Sequence, residues 1–392
     1  MDSSKSRLIL GKLKNVDTDF GIFDPQHTQI VAIGALGRAS SYFFQGLLGA
    51  HPQIVTIPVA EYISDNLELT KRTPQQIADY FYANWMNQVF SVPTDKKYVD
   101  KNTFSQNIIN YLQTFGITRK TIFLAVHYAY AVARKQKISD IKKIVFQIHL
   151  LYDSTPLFED FPTTELISLV RDPRSTYASK KVVQSKYQHP VFLYVVCYLG
   201  YEFHKTIDKY TKTILIRHED IHQKFDQTIK RVIKFLEIKP HASLEYSSFY
   251  GLPYTGAALT SKSASGIYSA KANPQYVNDK WKVGLSQFEL STINWLCSDY
   301  IANCKYESWK TASKSAPPFF FEPLHKLLQG DVAPTSTIKR IALSTLRVIG
   351  SIPLIGEFLL RVGYIVDTTF AIIKRYFVSL YNRNLISRTM RK

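Results

Sequence analysis

The chain has 392 residues, of which 45% are hydrophobic and 20% charged, so it can form a large core and global disorder is excluded. Lys and Arg outnumber Asp and Glu by 49 to 31, and the net charge of +18 favours polyanionic partners, such as nucleotide phosphates, nucleic acid or an anionic membrane. A soluble protein that is merely basic is the alternative. The three cysteines form no C-x-x-C pair, which argues against a zinc site and fits a reducing compartment.

The expected compartment is the cytoplasm. Residues 1–15 contain no apolar h-region of the kind that a signal peptide carries. No stretch of about 18 uncharged apolar residues occurs, so we expect no membrane-spanning helix.

Strands and helices alternate along most of the chain. A buried strand is predicted over 29–34, followed by a loop and a helix over 41–50, and the region 65–143 is mainly helical. Further strands are predicted over 55–58, 143–150, 165–170 and 213–216, and helices over 225–236 and 286–303, the latter from a Ser286–Glu289 capping box. This alternation predicts an α/β fold with three layers and a mostly parallel sheet.

A change of composition divides the chain into an α/β domain, 1–312, and a C-terminal helical extension, 313–392. From residue 317 onward, eleven Lys or Arg residues stand against four Asp or Glu residues. Ile338, Ile341, Leu346 and Ile349 share one helical face, with basic residues opposite. Such a pattern is typical of a helix at an anionic membrane surface, and helices packed on the core are the alternative.

Two strand–helix junctions carry features of an anion site. The first loop reads Gly34-Ala35-Leu36-Gly37-Arg38-Ala39-Ser40-Ser41 and leads into a helix, whose free N–H groups and positive dipole end favour a phosphate. A Walker A sequence is absent. At the second junction, Arg171 follows a strand and Ser179 lies two turns into the next helix. Ligands bind at the carboxyl ends of strands in such sheets, so a second phosphate fits there.

These junctions resemble the cofactor motifs of PAPS-dependent sulfotransferases (PAPS is 3′-phosphoadenosine-5′-phosphosulfate). The first family motif, R-S-G-[ST]-T-x-L, resembles the segment from Arg38 to Phe44, and the second, R-D-P-R-x-x-x-x-S, is matched from Arg171 to Ser179. Later family segments resemble 216–221, 235–238, and Ser265, Lys271 and Trp281 before a Leu-Ser-x-x-Glu helix start. The sequence departs from the family at Ser40, where glycine is usual, at His218, where tyrosine is usual, and near His149 and Tyr152, where a lysine is missing.

The resemblance implies a P-loop-like sulfotransferase architecture and a role for each matched residue. Arg38, Ala39, Ser40, Ser41 and Tyr42 would bind the 5′-phosphosulfate end of PAPS, and Arg38 would also act in catalysis. Arg171 and Ser179 would bind the 3′-phosphate, and Ser265 and Lys271 would close over the cofactor. Glu61, just past the second strand, would be the catalytic base, with His127 and His149 as fallback candidates that also suit structural roles.

The implied function is sulfuryl transfer from PAPS, releasing PAP (the desulfated 3′,5′-bisphosphate), to a hydroxyl or amine of a carbohydrate, lipid or small metabolite. No metal is expected, and no nucleic acid, because no recognised nucleic-acid module is present. Two alternatives stay open: a catalytically inactive, membrane-attached binding protein on the same fold, and a nucleotide kinase, which the missing Walker lysine weakens.

Overall fold

The fold is built on a five-stranded parallel sheet. The computed structural model describes residues 20–36, 39–57, 67–86, 99–148, 154–183, 197, 200–249, 252–253, 271–285, 289–290, 293–294 and 297–307. The strands of the sheet are β1 (Ile30–Leu36), β2 (Ile54–Val55), β3 (Lys143–Ile148), β4 (Glu165–Val170) and β5 (Thr213–Arg217), in the order β2-β3-β1-β4-β5. All four pairings in it are parallel. A small antiparallel pair joins β6 (Ser248–Phe249) to β7 (Leu252–Pro253).

Helices connect the strands, as the alternation in the sequence predicts. They are α1 (Ser41–Gly49), α2 (Pro74–Phe81), α3 (Lys101–Phe115), α4 (Arg119–Ala133), α5 (Thr155–Asp160), α6 (Pro173–Val183), α7 (Gly200–Ile207), α8 (His218–Gln223), α9 (Phe225–Leu236), α10 (Lys280–Gly284) and α11 (Ser298–Asn303). Local sequence sets several starts: Thr73 and Thr118 form reciprocal capping boxes at α2 and α4, and Asp100 caps α3.

Apolar side chains of the central strands alternate between two cores. Ile30 and Ala32 face a core with α2, α3 and α4, whereas Val31 and Ile33 face a core with α1 and α9. A strand that is buried on both faces requires a helical layer on each side. The α/β fold with three layers and a mostly parallel sheet is therefore confirmed over the described residues.

One predicted strand boundary is wrong, and one predicted helix is broken. The strand expected over 55–58 is the two-residue β2, which pairs with β3 through Ile54 and Val55. The Thr56 hydroxyl and the Ile57 carbonyl accept hydrogen bonds from the buried Gln45 side-chain amide, at 2.8 and 2.9 Å. The helix expected over 286–303 ends at Asn303 as predicted, but Cys297 within it has non-helical angles and directly precedes α11. Ser286, the proposed cap, lies outside the described residues.

The close packing of α1 gives a stability prediction. A Cβ added at Gly46 would lie 2.3 Å from Ser247 Oγ and 3.3 Å from the Ser248 backbone nitrogen. We expect Gly46→Ala to lower the free energy of unfolding by about 1–3 kcal/mol, the usual cost of overpacking. Gly284→Ala is the control, because a Cβ there meets nothing within 4 Å. Denaturant titration of both variants checks the difference, and equal stability of the two would contradict the packing.

His127, a fallback base, lies in the core. It is fully buried on α4, its Nδ1 donates to the Phe123 carbonyl at 2.8 Å, and its ring packs against those of Phe123 and Phe146. Burial lowers the pKa of His127 from 6.5 to about 4, although the Phe123 hydrogen bond opposes the shift. These surroundings agree with the structural alternative for this histidine.

The lowered pKa of His127 predicts acid destabilisation. The unfolded state binds a proton near pH 6.5 and the folded state only near pH 4, so stability is fully present above pH 6.5 and falls as the pH drops through this window. The loss from this one group should approach about 3 kcal/mol. His127→Asn should flatten the pH dependence of unfolding, whereas His27→Asn, at an exposed position, should not. An unchanged slope in His127→Asn would contradict the assignment.

The C-terminal extension, 313–392, lies outside the described residues, so its amphipathic character stays a prediction from sequence. Over the ranges that the structure describes, no helix is both long and apolar enough to cross a membrane.

Candidate functional site

The register of the sheet brings three chain segments to one edge. Leu36 of β1 pairs with Val170 of β4, and Val170 pairs with Arg217 of β5. Arg171 and His218 directly follow Val170 and Arg217, so they leave the sheet side by side, next to the end of β1 at Leu36. This is the carboxyl edge, where parallel sheets bind ligands.

Ser40, the residue before α1, has an unusual backbone conformation. Ser40 has φ 61° and ψ 33°, in the left-handed region, and its side chain makes no capping hydrogen bond to the helix. The Ser40 carbonyl accepts from the Phe44 N–H at 2.9 Å, so the helix starts directly after it. Because the Ser40 side chain does not bind the N–H groups in the first turn of α1, these groups suit an anion. Ala39 is fully buried, whereas Gly37 and Arg38 lie outside the described residues.

Ser41 is oriented by a polar residue in the sheet. The Gln147 side-chain amide donates to Ser41 Oγ at 3.0 Å, and Gln147 is 1% exposed on β3. Because Ser41 Oγ accepts this bond, its own O–H can donate to a ligand. The sequence contains the signal for this contact, a glutamine within an otherwise apolar strand.

A buried tyrosine fixes the backbone of Arg171. Tyr300 Oη accepts from the Arg171 N–H at 3.3 Å and donates to the Arg171 carbonyl at 3.0 Å. Tyr300 lies on α11 and is fully buried. No sequence pattern indicates this contact, which joins residues 129 positions apart.

The second arginine of the motif, Arg174, has a structural role. It is 1% exposed, and its guanidinium pairs with Asp172 at 2.7 to 3.2 Å and stacks 4.3 Å above the Trp281 ring. Asp172 also accepts from the Arg174 backbone N–H at 2.9 Å, so it caps α6. Ser179 lies in the same helix and is partly exposed.

Two histidines stand between these segments. His218 Nδ1 lies 2.8 Å from Ser40 Oγ, and the His218 and His222 rings are 4.7 Å apart. His222 packs against Phe43 and Tyr276, at centroid distances of 5.1 and 5.3 Å. The spacing of four residues places both histidines on one helical face, a signal that is present in the sequence.

Both histidines are neutral at neutral pH. Burial is the largest cause, and the Arg171 charge adds to it, so that the pKa of His218 falls to about 2 and that of His222 to about 4. The Arg171 guanidinium therefore lies close enough to act on both rings. An anion bound beside it would meet one strong cation and two neutral rings.

Glu219 links the segment that follows β5 to the segment that follows β4. Its Oε1 accepts from the Asp172 N–H at 3.1 Å and its Oε2 from the Tyr306 hydroxyl at 3.2 Å. Burial raises the pKa of this carboxyl. A cavity of about 280 Å³ opens beside these groups, lined among others by Arg171, Ser175, Arg217, His218, Tyr276 and Trp281.

Lys271 lies on a segment that reaches this site. It is exposed, with Nζ 4.7 Å from the Tyr246 ring centroid, and its interaction with the Tyr246 hydroxyl raises the Lys271 pKa. Two residues later, the Asn273 N–H donates to His222 Nδ1 at 3.2 Å. The chain around Lys271 is thus tied to α8.

Several predicted site residues cannot be placed. Arg38, Glu61, His149 and Ser265 lie outside the described residues. The structure brings Ser40, Ser41 and Arg171 to one edge. Gln147, Tyr300, His222 and Asn273 are further residues of the site that the sequence prediction missed.

Comparison with known proteins yields only structural likenesses. No family model and no curated protein match the chain. The sulfotransferase domain from the Synechococcus PCC 7002 olefin synthase is similar with a TM-score of 0.48 and 13% identity, over 72% of this chain and 96% of that chain. The sulfotransferase domain from the curacin biosynthetic pathway gives 0.44 and 15%, over 71% and 98%. Both TM-scores lie below 0.5 and both identities below 25%.

Proposed function

We propose that the chain is a sulfotransferase, which transfers the sulfuryl group of PAPS to a hydroxyl or amine of a carbohydrate, lipid or small metabolite. The observation that supports this most is the sheet register. It ends β1 and β4 at the paired positions Leu36 and Val170, so that Arg171 follows β4 beside the end of the strand that leads to α1.

The groups at this edge suit a nucleotide with two separate anionic ends. The first turn of α1, with the Ser41 hydroxyl that Gln147 orients, suits the 5′-phosphosulfate. Arg171, whose backbone Tyr300 fixes, suits the 3′-phosphate together with Ser179. In this proposal Ser40 contributes through its backbone, because its hydroxyl is directed to His218.

PAPS supplies an activated sulfuryl group. A bond forms between the acceptor oxygen or nitrogen and sulfur, the bond between sulfur and the 5′-phosphate oxygen breaks, and PAP leaves. Glu61 takes the acceptor proton, and Arg38 and Lys271 offset the charge that develops on the leaving phosphate. Such transfer depends on in-line positioning and electrostatic stabilisation.

The proposal is tested by incubating the protein with PAPS carrying labelled sulfur and, in turn, carbohydrate, lipid and small-metabolite acceptors with free hydroxyls or amines. We expect label in one acceptor class and an equal amount of PAP. If PAP binds but no class is labelled, the binding-protein alternative replaces the enzyme. If ATP instead labels an acceptor with its γ-phosphate, the chain is a kinase.

For the extension from residue 317 onward, we propose reversible attachment to anionic membranes through its apolar face and basic residues. Each Lys or Arg near such a surface contributes about 1 kcal/mol. The full chain should co-sediment with anionic vesicles at low salt and be partly released at high salt, and neutral vesicles are the control. Absence of co-sedimentation at every salt concentration would contradict it.

A further inference from the structure

Ser40 adopts a conformation that its side chain disfavours. Four non-glycine residues of the described ranges have positive φ: Ser40, Lys135, Glu237 and Lys305. The last three follow the ends of α4, α9 and α11, where a left-handed residue is a common helix ending. Ser40 instead precedes a helix, so its conformation needs another cause.

The Ser40 side chain contacts His218. The two atoms, Ser40 Oγ and His218 Nδ1, lie 2.8 Å apart. His218 is 3% exposed. Whichever of the two groups donates, this hydrogen bond ties the Ser40 side chain to the His218 ring.

The His218 side chain is held in place from several sides. His218 directly follows β5, whose last residue, Arg217, pairs with Val170. Its ring contacts that of His222, which the Asn273 N–H and the rings of Phe43 and Tyr276 hold. The contact therefore ties the start of α1 to a rigid part of the neighbouring segment.

We propose that His218 is a positioning residue of the anion site: through its hydrogen bond with the Ser40 hydroxyl, it holds Ser40 in the left-handed conformation and directs the first-turn N–H groups of α1 toward the bound phosphosulfate. The identity of this anion rests on the proposed function. Ser40 and His218 are also two of the positions at which the sequence departs from the family pattern, and they contact each other.

The test is a set of variants whose PAP affinity is measured by calorimetry. His218→Leu removes the hydrogen-bond partner of Ser40 and should weaken PAP binding roughly tenfold, the effect of one hydrogen bond. His218→Asn, whose amide can donate or accept near the position of Nδ1, should restore affinity to within about threefold. Ser40→Ala keeps the Cβ without the hydroxyl and should match His218→Leu, and the double variant should be no weaker than either.

The decisive comparison uses the Ser40→Gly background. Glycine adopts the left-handed conformation without help, so His218→Leu should there change PAP affinity by less than about twofold. An equal loss in both backgrounds would overturn the proposal, because His218 would then act on the ligand directly. No loss from His218→Leu in the otherwise unchanged chain would overturn it as well.

A second Ser–His pair provides the control for a merely structural effect. Ser168 Oγ on β4 lies 2.9 Å from His204 Nδ1 on α7, and both residues are buried. His204→Leu should lower thermal stability and leave PAP affinity unchanged. If it weakens PAP binding as much as His218→Leu does, the effect of His218 is global and the proposal fails.

Failure of the proposed function can be distinguished from failure of the positioning role of His218. If the unaltered chain does not bind PAP, the double-mutant cycle of Ser40→Ala and His218→Leu is measured on the free energy of unfolding. Coupling there would keep the Ser40–His218 contact while the nucleotide assignment fails. PAP binding without any coupling between the two positions would overturn the positioning role alone.

Discussion

Replacing Arg171 with alanine should remove most of the stabilisation that PAP gives. Arg171 stands at the end of β4, with its backbone fixed by Tyr300, and its charge acts on His218 and His222. Loss of a charge-assisted contact costs about 1.5–3 kcal/mol, so the dissociation constant for PAP should rise roughly 10- to 150-fold. The measurement is the thermal shift at increasing PAP concentration.

Lys234→Ala is the matched control for this experiment. Lys234 is exposed on α9, next to Phe235. The Phe235 carbonyl accepts from Lys212, which directly precedes β5, so Lys234 lies near the opposite edge of the sheet. The variant removes the same charge and should leave the PAP response unchanged. If both variants lose the response equally, PAP binds through the general positive charge, and the site assignment is wrong.

Replacing Glu61 with glutamine should abolish most turnover without weakening PAP binding. Glutamine has a similar shape but cannot take a proton, and removal of a general base costs on the order of 10²–10⁴ in rate. The measurement is the transfer of labelled sulfur to the acceptor that the labelling experiment identifies, and calorimetric PAP binding is the control. Near-normal transfer would remove the base role from Glu61 and assign it to His149 or to no residue.

The long strands were predictable because the residue pattern and the length of each apolar run both indicate a buried strand. β1, β3, β4 and β5 lie within two residues of their predicted bounds. β1, β3 and β4 are buried on both faces, whereas β5 is mostly only partly buried. The strand over 55–58 was wrong because its apolar residues continue past the ladder, where Gln45 binds Thr56 and Ile57 instead. Apolar character indicates burial there but does not determine backbone pairing.

The site was predictable only in part. The positions of Ser40 and Arg171 after strands follow from local sequence, and the parallel sheet then predicts a shared edge. The Ser40–His218 contact joins residues 178 positions apart, and it depends on β5 lying next to β4 in the sheet. No spacing in the sequence contains that strand order. The contacts of Tyr300 and Asn273 are also hidden from the sequence. The Tyr300 hydroxyl binds the Arg171 backbone, and the Asn273 backbone N–H binds His222, so in each contact one partner is a backbone group that any residue type could present.

The central claim, a site for a 3′,5′-bisphosphorylated nucleotide at the carboxyl edge, is tested most directly by calorimetric titration of the full chain with PAP, AMP and ATP. PAP should bind tightest, because AMP lacks the 3′-phosphate that Arg171 is proposed to bind. The preference for PAP over AMP should shrink in Arg171→Ala. Equal affinity for PAP and AMP, or tighter binding of ATP than of PAP, would contradict the account.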